Sequence, residues 1–232
     1  MSKCLKLFKL ANCQTAGDNR KTAGQGLLEA TLAIGMILIG LGAILTFTLK
    51  NISAAADSGQ RITAANLARE AIDVIRGVRD SNWLASGNSD PGRAWDLGLA
   101  PDPNQPAIVI FYLPDGTPIE PAKFEIDYIP TSTDVNDNEY KLYRHYQNHE
   151  WIQDSTGSSA DYNPTGFNRL IKLDPVCDNG SDIEVREGDA NCGSDTKVGI
   201  RVQATVSWQA SGIFGGITRR SLTMQEYLYN WR

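Results

Sequence analysis

The chain has 232 residues, with 22 Lys and Arg against 27 Asp and Glu, for a formal net charge of −5. That acidity argues against a broadly nucleic-acid-binding surface, and no GxSxG, Walker loop or paired Cys and His marks an enzyme. The charge is also uneven. Residues 1–24 carry Lys3, Lys6, Lys9, Arg20 and Lys21 against Asp18, a net +4, so the rest of the chain carries −9.

Behind this basic, polar leader comes Gly24-Gln25-Gly26-Leu27-Leu28-Glu29, and then residues 30–49, which contain no charge. Twenty such residues at about 1.5 Å rise each span the roughly 30 Å hydrocarbon core of a bilayer. Glu29 sits at the edge of the run, where an ionisable group is costly and points to a partner. Positive charge before the span and acidity after it orient the amino terminus toward the cytoplasm. A secretory signal would place its small-residue cleavage site after a shorter apolar run. A plain single-span anchor fits the hydropathy but gives Glu29 no role.

A glycine, a cut, four residues, a glutamate and then an apolar helix make up a pattern that resembles the prepilin signature of type IV pilins and type II secretion pseudopilins. The resemblance implies a peptidase and N-methyltransferase that cuts after Gly24 and methylates Gln25, where the family usually carries Phe or Met. It implies that Glu29, the fifth mature residue, neutralises the new amino terminus of a neighbouring subunit. The implied partners are other pilin or pseudopilin subunits, an inner-membrane assembly platform and membrane lipid. The implied location is the cytoplasmic membrane before assembly, and a surface filament or periplasmic pseudopilus after it.

The helical pattern continues beyond the span. Residues 52–83 lack proline, and Leu67, Ala71, Val74 and Val78 recur on one face, widened by Ala68, Ile72 and Ile75. This is an amphipathic stripe for a core, with Arg69–Asp73 and Arg76–Asp80 at i, i+4 spacing. The expected helix runs over 27–83, about 80 Å long, with Gly35, Gly40 and Gly42 either weakening it or allowing close helix packing. A Gly-, Pro- and Asp-rich loop at 86–106 ends it. Strands are expected at 107–113 and 123–129 around a Pro-Asp-Gly turn, more weakly at 141–146 and 168–173, and then at 198–208 and 218–228. In the 198–208 strand Val198, Ile200, Val202, Ala204, Val206 and Trp208 share one face. The expectation is α+β, a long N-terminal helix packed on an antiparallel sheet. The chain then divides into a leader at 1–24, a transmembrane half-helix at 25–50, an amphipathic half at 51–84 and a β-rich domain at 85–232.

Cys4 and Cys13 fall in the leader. Cys177 and Cys192 lie in a polar loop of the extracytoplasmic part, where a disulfide is expected; free thiols or half a metal site are the alternatives. No cofactor is expected. Two oxygen-rich clusters are weak calcium candidates, one at 134–139 and one around Asp178, Asn179, Asp182 and Glu184; solvated acidic loops are the preferred reading. His145 and His149, with Glu150, read as surface groups in an aromatic-rich segment rather than a metal site. The leading expectation is a minor structural filament subunit. The alternative is a filament-tip binding module, an adhesin or DNA-uptake subunit, which a basic groove of Arg201, Arg219 and Arg220 would favour.

Overall fold

A computed structural model describes residues 22–88, 94–99, 106–112, 123–128, 132–146, 151–153, 162–189, 191–211 and 216–230. The chain divides into two units, Met1–Asn51 and Ile52–Arg232. One helix, α1 (Thr22–Asn88), supplies the described part of the first unit and the start of the second. It runs five residues past Trp83, where the sequence pattern alone would end it.

Among the described residues the second unit adds to the helix an open antiparallel sheet of eight strands: β1 (Ala107–Tyr112), β2 (Lys123–Tyr128), β3 (Lys141–His145), β4 (Trp151–Gln153), β5 (Tyr162–Asp178), β6 (Ile183–Val185), β7 (Thr196–Ser211) and β8 (Ile217–Tyr229). Its spine is the 17-residue β5. Along one edge β5 pairs with β7, which pairs with β8. Along the other it meets β3, β1 and β6 in turn, with β4 and β2 outside β3 and β1. The weak sequence signal at 168–173 covers only the middle of this strand. Its ends hold residues depleted in strands: Pro164 and Gly166 lie along the stretch beside β3, where Pro164 faces Tyr143, and Asp174 and Pro175 lie within the long pairing with β7.

The core lies between α1 and one sheet face. Ala64, Leu67, Ala68, Ala71, Ile72 and Ile75 are buried against Ile171, Leu173, Ile200, Val202, Ala204, Val206, Trp208 and Leu228. The buried stripe is centred on the alanines; Val74 and Val78 stand at its margin, only partly covered. Alanines on the helix let its backbone approach the branched side chains of β7. The inward face expected of residues 198–208 is the face that packs. At Gly199, across from Tyr229, a Cβ would lie 3.0 Å from both Leu228 O and Tyr229 Cδ1, so this position excludes a side chain.

The sheet's other face carries a small second cluster of Ile108, Tyr140 and Leu170, sealed by the segment leading through a 3-10 turn at Asn138–Tyr140. Burial pushes the Tyr140 phenol up to about 12, with Glu139 and Asp137 adding to the shift; the hydroxyl donates to Ser132 O.

Ion pairs set the register of helix on sheet: Asp57–Arg220 at 2.7 Å, Glu70–Arg169 at 3.3 Å and Arg76–Glu226 at 2.5 Å. The expected Arg76–Asp80 pair does not form. Arg76 turns to Glu226 on β8 and to Asp73 one turn back, because a bidentate carboxylate at a half-buried site outweighs an exposed helical pair. Asp80 instead holds Arg79, whose guanidinium lies 4.5 Å over the Trp83 ring. Asn82 donates to Trp95 O and Leu97 O, so the end of the helix grips the turn at 95–98.

Candidate functional site

In the first unit Gly24 and Gln25 lie within α1, while residues 1–21, including the rest of the leader with Cys4 and Cys13, fall outside the described residues. Glu29 is exposed on this helix, and Leu27, Leu28 and Leu32 around it are 72, 61 and 56 % exposed. The segment is long and apolar enough to cross a membrane, and none of its span is buried within the protein. Its hydroxyls are already satisfied. Thr31, Thr46 and Thr48 each donate at 2.9 Å to a backbone carbonyl three or four residues back, the arrangement that lets threonine sit in hydrocarbon. Glu29 is therefore the one side chain of 26–49 whose polarity the helix does not absorb.

A Cβ added at Gly26, Gly35, Gly40 or Gly42 would meet nothing within 4 Å. Among the described residues no contact requires glycine at those places.

Cys177 and Cys192 form a disulfide with Cα atoms 5.6 Å apart. Both are buried. Cys177 is not in a loop, as its polar neighbours suggested, but in the last turn of pairing of β5, opposite Glu184 and Lys197. The bond thus ties the end of the sheet's spine to the approach to β7.

The carboxylates enclosed by this bond are occupied locally. Asp178 accepts from Gly180 N at 2.7 Å, Asp182 from Ile183 N at 2.8 Å, and the Asn179 side chain from Ser181 N and Asp182 N. Glu184 pairs with Arg186, which also pairs with Asp195 and donates to Cys192 O. The carboxylates cap a tight turn through Gly180, whose φ of +84° favours glycine. At 132–139 Asp134 accepts from the backbone and side chain of Asn136, and Ser132 donates to Asp137. Among the described residues no three His, Cys, Asp or Glu side chains converge on a metal position. His145 stacks on Tyr146 and meets the edge of Tyr162; His149 and Glu150 lie outside the described residues.

The three arginines whose groove would favour a filament-tip binding module are dispersed. Arg201 is buried between Asp174 and Glu187, at 2.7 and 2.5 Å. Arg220 turns to Asp57 on the helix, while Arg219, the next residue along β8, points to the opposite sheet face.

Sequence reasoning passed over the buried polar centre under α1. Arg169 is 1 % exposed, and its guanidinium donates to Gln153 Oε1 at 3.3 Å, Leu67 O at 3.1 Å and Glu70 at 3.3 Å. Gln153 in turn donates to Tyr140 O and Arg169 O. Burial pulls the Arg169 guanidinium below its ordinary range, and Glu70 opposes that pull. The only hint in the sequence is an arginine at an inward position of an alternating strand.

Comparison with protein-family models, with curated proteins and with solved structures finds no match.

Proposed function

We propose that this chain is a structural subunit, of the minor kind, in a filament of the type IV pilus and type II secretion pseudopilus class, matured by cleavage after Gly24 and N-methylation of Gln25. On this reading it is the substrate of a membrane peptidase and carries no catalysis of its own. The observation that supports it most is Glu29: a lone carboxylate on an all-round apolar, exposed helix whose other polar side chains bond to their own backbone. An α-helix apolar on every side belongs in lipid or in a bundle. A carboxylate there needs a cation, and cleavage after Gly24 creates one at Gln25, four residues away along the same helix. Two groups so placed pair more readily between axially staggered neighbours than within one helix. The open space at Gly35, Gly40 and Gly42 suits close approach of a second helix. The folded second unit then faces the extracytoplasmic side, where its disulfide is stable.

The test is Glu29→Ala at native expression level. Membrane insertion should be unchanged, since the span becomes more apolar, and cleavage after Gly24 should continue. Recovery in sheared filament fractions should fall sharply relative to membrane fractions. Normal incorporation, beside a Gly24 cleavage-blocked control, would sink the mechanism, and a full-length chain in cells carrying the peptidase would refute the processing step.

A further inference from the structure

The sheet face turned away from α1 carries a polar pocket of about 180 Å³ where β3, β5, β7 and β8 run side by side. Register puts its walls together: Lys141 lies opposite Asn168, Asn168 opposite Ser207, and Gln209 opposite Arg219. The frame is pinned. Asn168 donates to Val135 O and Asp137 O at 2.9 and 3.2 Å, Ser207 donates to Asn136 at 3.1 Å, and Thr165 donates to Leu142 O at 2.6 Å.

What remains uncommitted is chemically selective. Lys141 and Arg219 have no carboxylate partner among the described residues, whereas Arg76, Arg169, Arg186, Arg201 and Arg220 are all paired. In a chain of net charge −5, no acidic residue among the described residues lines this pocket. The free side-chain amides of Asn138 and Gln209 stand beside the two cations and can both donate and accept. Two cations select an anion, and amides that donate and accept suit vicinal hydroxyls. The volume is below the roughly 300–1,000 Å³ of pockets that engulf drug-sized ligands, so one ring-sized group fits. A nucleic-acid strand would need exposed aromatic platforms and a continuous cationic track. Here the indole of Trp208 is turned into the helix-facing core and 3 % exposed, and Arg201 and Arg220 are neutralised.

We propose that this pocket binds the carboxylate-bearing ring of an acidic polysaccharide, with Arg219 and Lys141 on the carboxylate and Asn138 and Gln209 on the ring hydroxyls. The full chain in detergent micelles should be titrated calorimetrically with a glucuronate-containing hyaluronan tetrasaccharide, neutral chitotetraose, inorganic phosphate and a short single-stranded DNA. Binding should be measurable for the hyaluronan fragment and at least tenfold weaker for the other three. Arg219→Gln and Lys141→Gln should each weaken it about tenfold, and Asn138→Ala severalfold, with unchanged thermal unfolding midpoints; Arg61→Gln, on the helix, should leave it unchanged. No binding of the hyaluronan fragment, equal binding of chitotetraose or phosphate, tighter binding of DNA, or indifference to Arg219→Gln would each overturn the proposal. A variant with a lowered unfolding midpoint is replaced in the comparison by Asn138→Ala, whose side chain is exposed.

Discussion

The two halves of α1 share one secondary structure and meet opposite surroundings. From Leu27 to Leu49 every large apolar side chain is exposed within the chain, and apolarity runs round the whole circumference. From Ala64 to Ile75 apolarity narrows to a stripe that is almost wholly buried, while Arg69 and Asp73 face outward. Backbone hydrogen bonding cannot distinguish these stretches, since both satisfy it internally. What separates them is where the apolar surface can go. A stripe is covered by one sheet face, whereas a full circumference needs lipid or other helices.

The largest expected effect tests the buried side of that contrast. Arg169→Ala should destabilise the second unit by about 3 kcal/mol or more, because Gln153 Oε1 and Glu70 lose their donor and a guanidinium-sized void opens. Urea unfolding of the full chain in micelles, followed by tryptophan fluorescence, reads this directly. Arg169→Met should cost clearly less by refilling the space. Equal losses from both would mean that polar satisfaction alone, and not the filling of space, governs the site.

Ile75→Ala and Ile37→Ala form a matched pair, the same atoms removed from each half. The first should cost about 2–5 kcal/mol in the same unfolding assay. The second should leave that transition unmoved and instead weaken partition into vesicles. If Ile37→Ala lowered the unfolding midpoint comparably, the halves would not be energetically separate.

Reducing the Cys177–Cys192 bond, or changing both residues to Ser, should lower stability of the second unit by about 3 kcal/mol on chain-entropy grounds for a 15-residue separation. Vesicle partition should not respond. Non-reducing peptide mapping checks the bond first, and alkylation of both thiols in freshly isolated protein would contradict it.

The smallest effect is a pH dependence confined to the domain. The Tyr140 phenol is raised in the folded state to about 12, from an ordinary value near 10. The folded chain therefore holds its proton where the unfolded chain loses it. This contribution is complete below about pH 10 and disappears as pH rises toward 12. Tyr140→Phe should flatten the stability profile over that interval. Tyr128, raised by burial to about 12 as well, should retain part of the slope.

Much of this was legible because it depends on local period and composition. The uncharged run at 30–49, the inward alternation of Val198 to Trp208 and the pairing of Cys177 with Cys192 need no knowledge of what packs where. The α+β arrangement followed from the change of period between Ile75 and Ala107. The exact axis of the buried stripe did not: Ala64 joins Ala68 and Ala71 at its centre, while the more hydrophobic Val74 and Val78 stand at its margin, because small residues are what a branched sheet face accepts.

The sequence by itself determined a helix of two characters, a lone carboxylate at the start of its apolar half, and a strand-rich remainder with one disulfide. Only the tertiary structure decided the partners of the charged groups. Arg76 could reach Asp80 on its own helix or Glu226, 150 residues away; Arg201, Arg219 and Arg220 could have shared a groove or, as found, served three separate surroundings. Such choices turn on which carboxylate is partly desolvated and on which face a strand residue emerges, and both are fixed by strand register. Register also gathers Asn138 and Lys141 with Gln209 and Arg219, from two stretches of chain far apart in sequence, around one pocket. Local sequence carries the period that makes a strand, but the neighbour opposite each residue is set by long-range pairing, where the chemistry of a site is assembled.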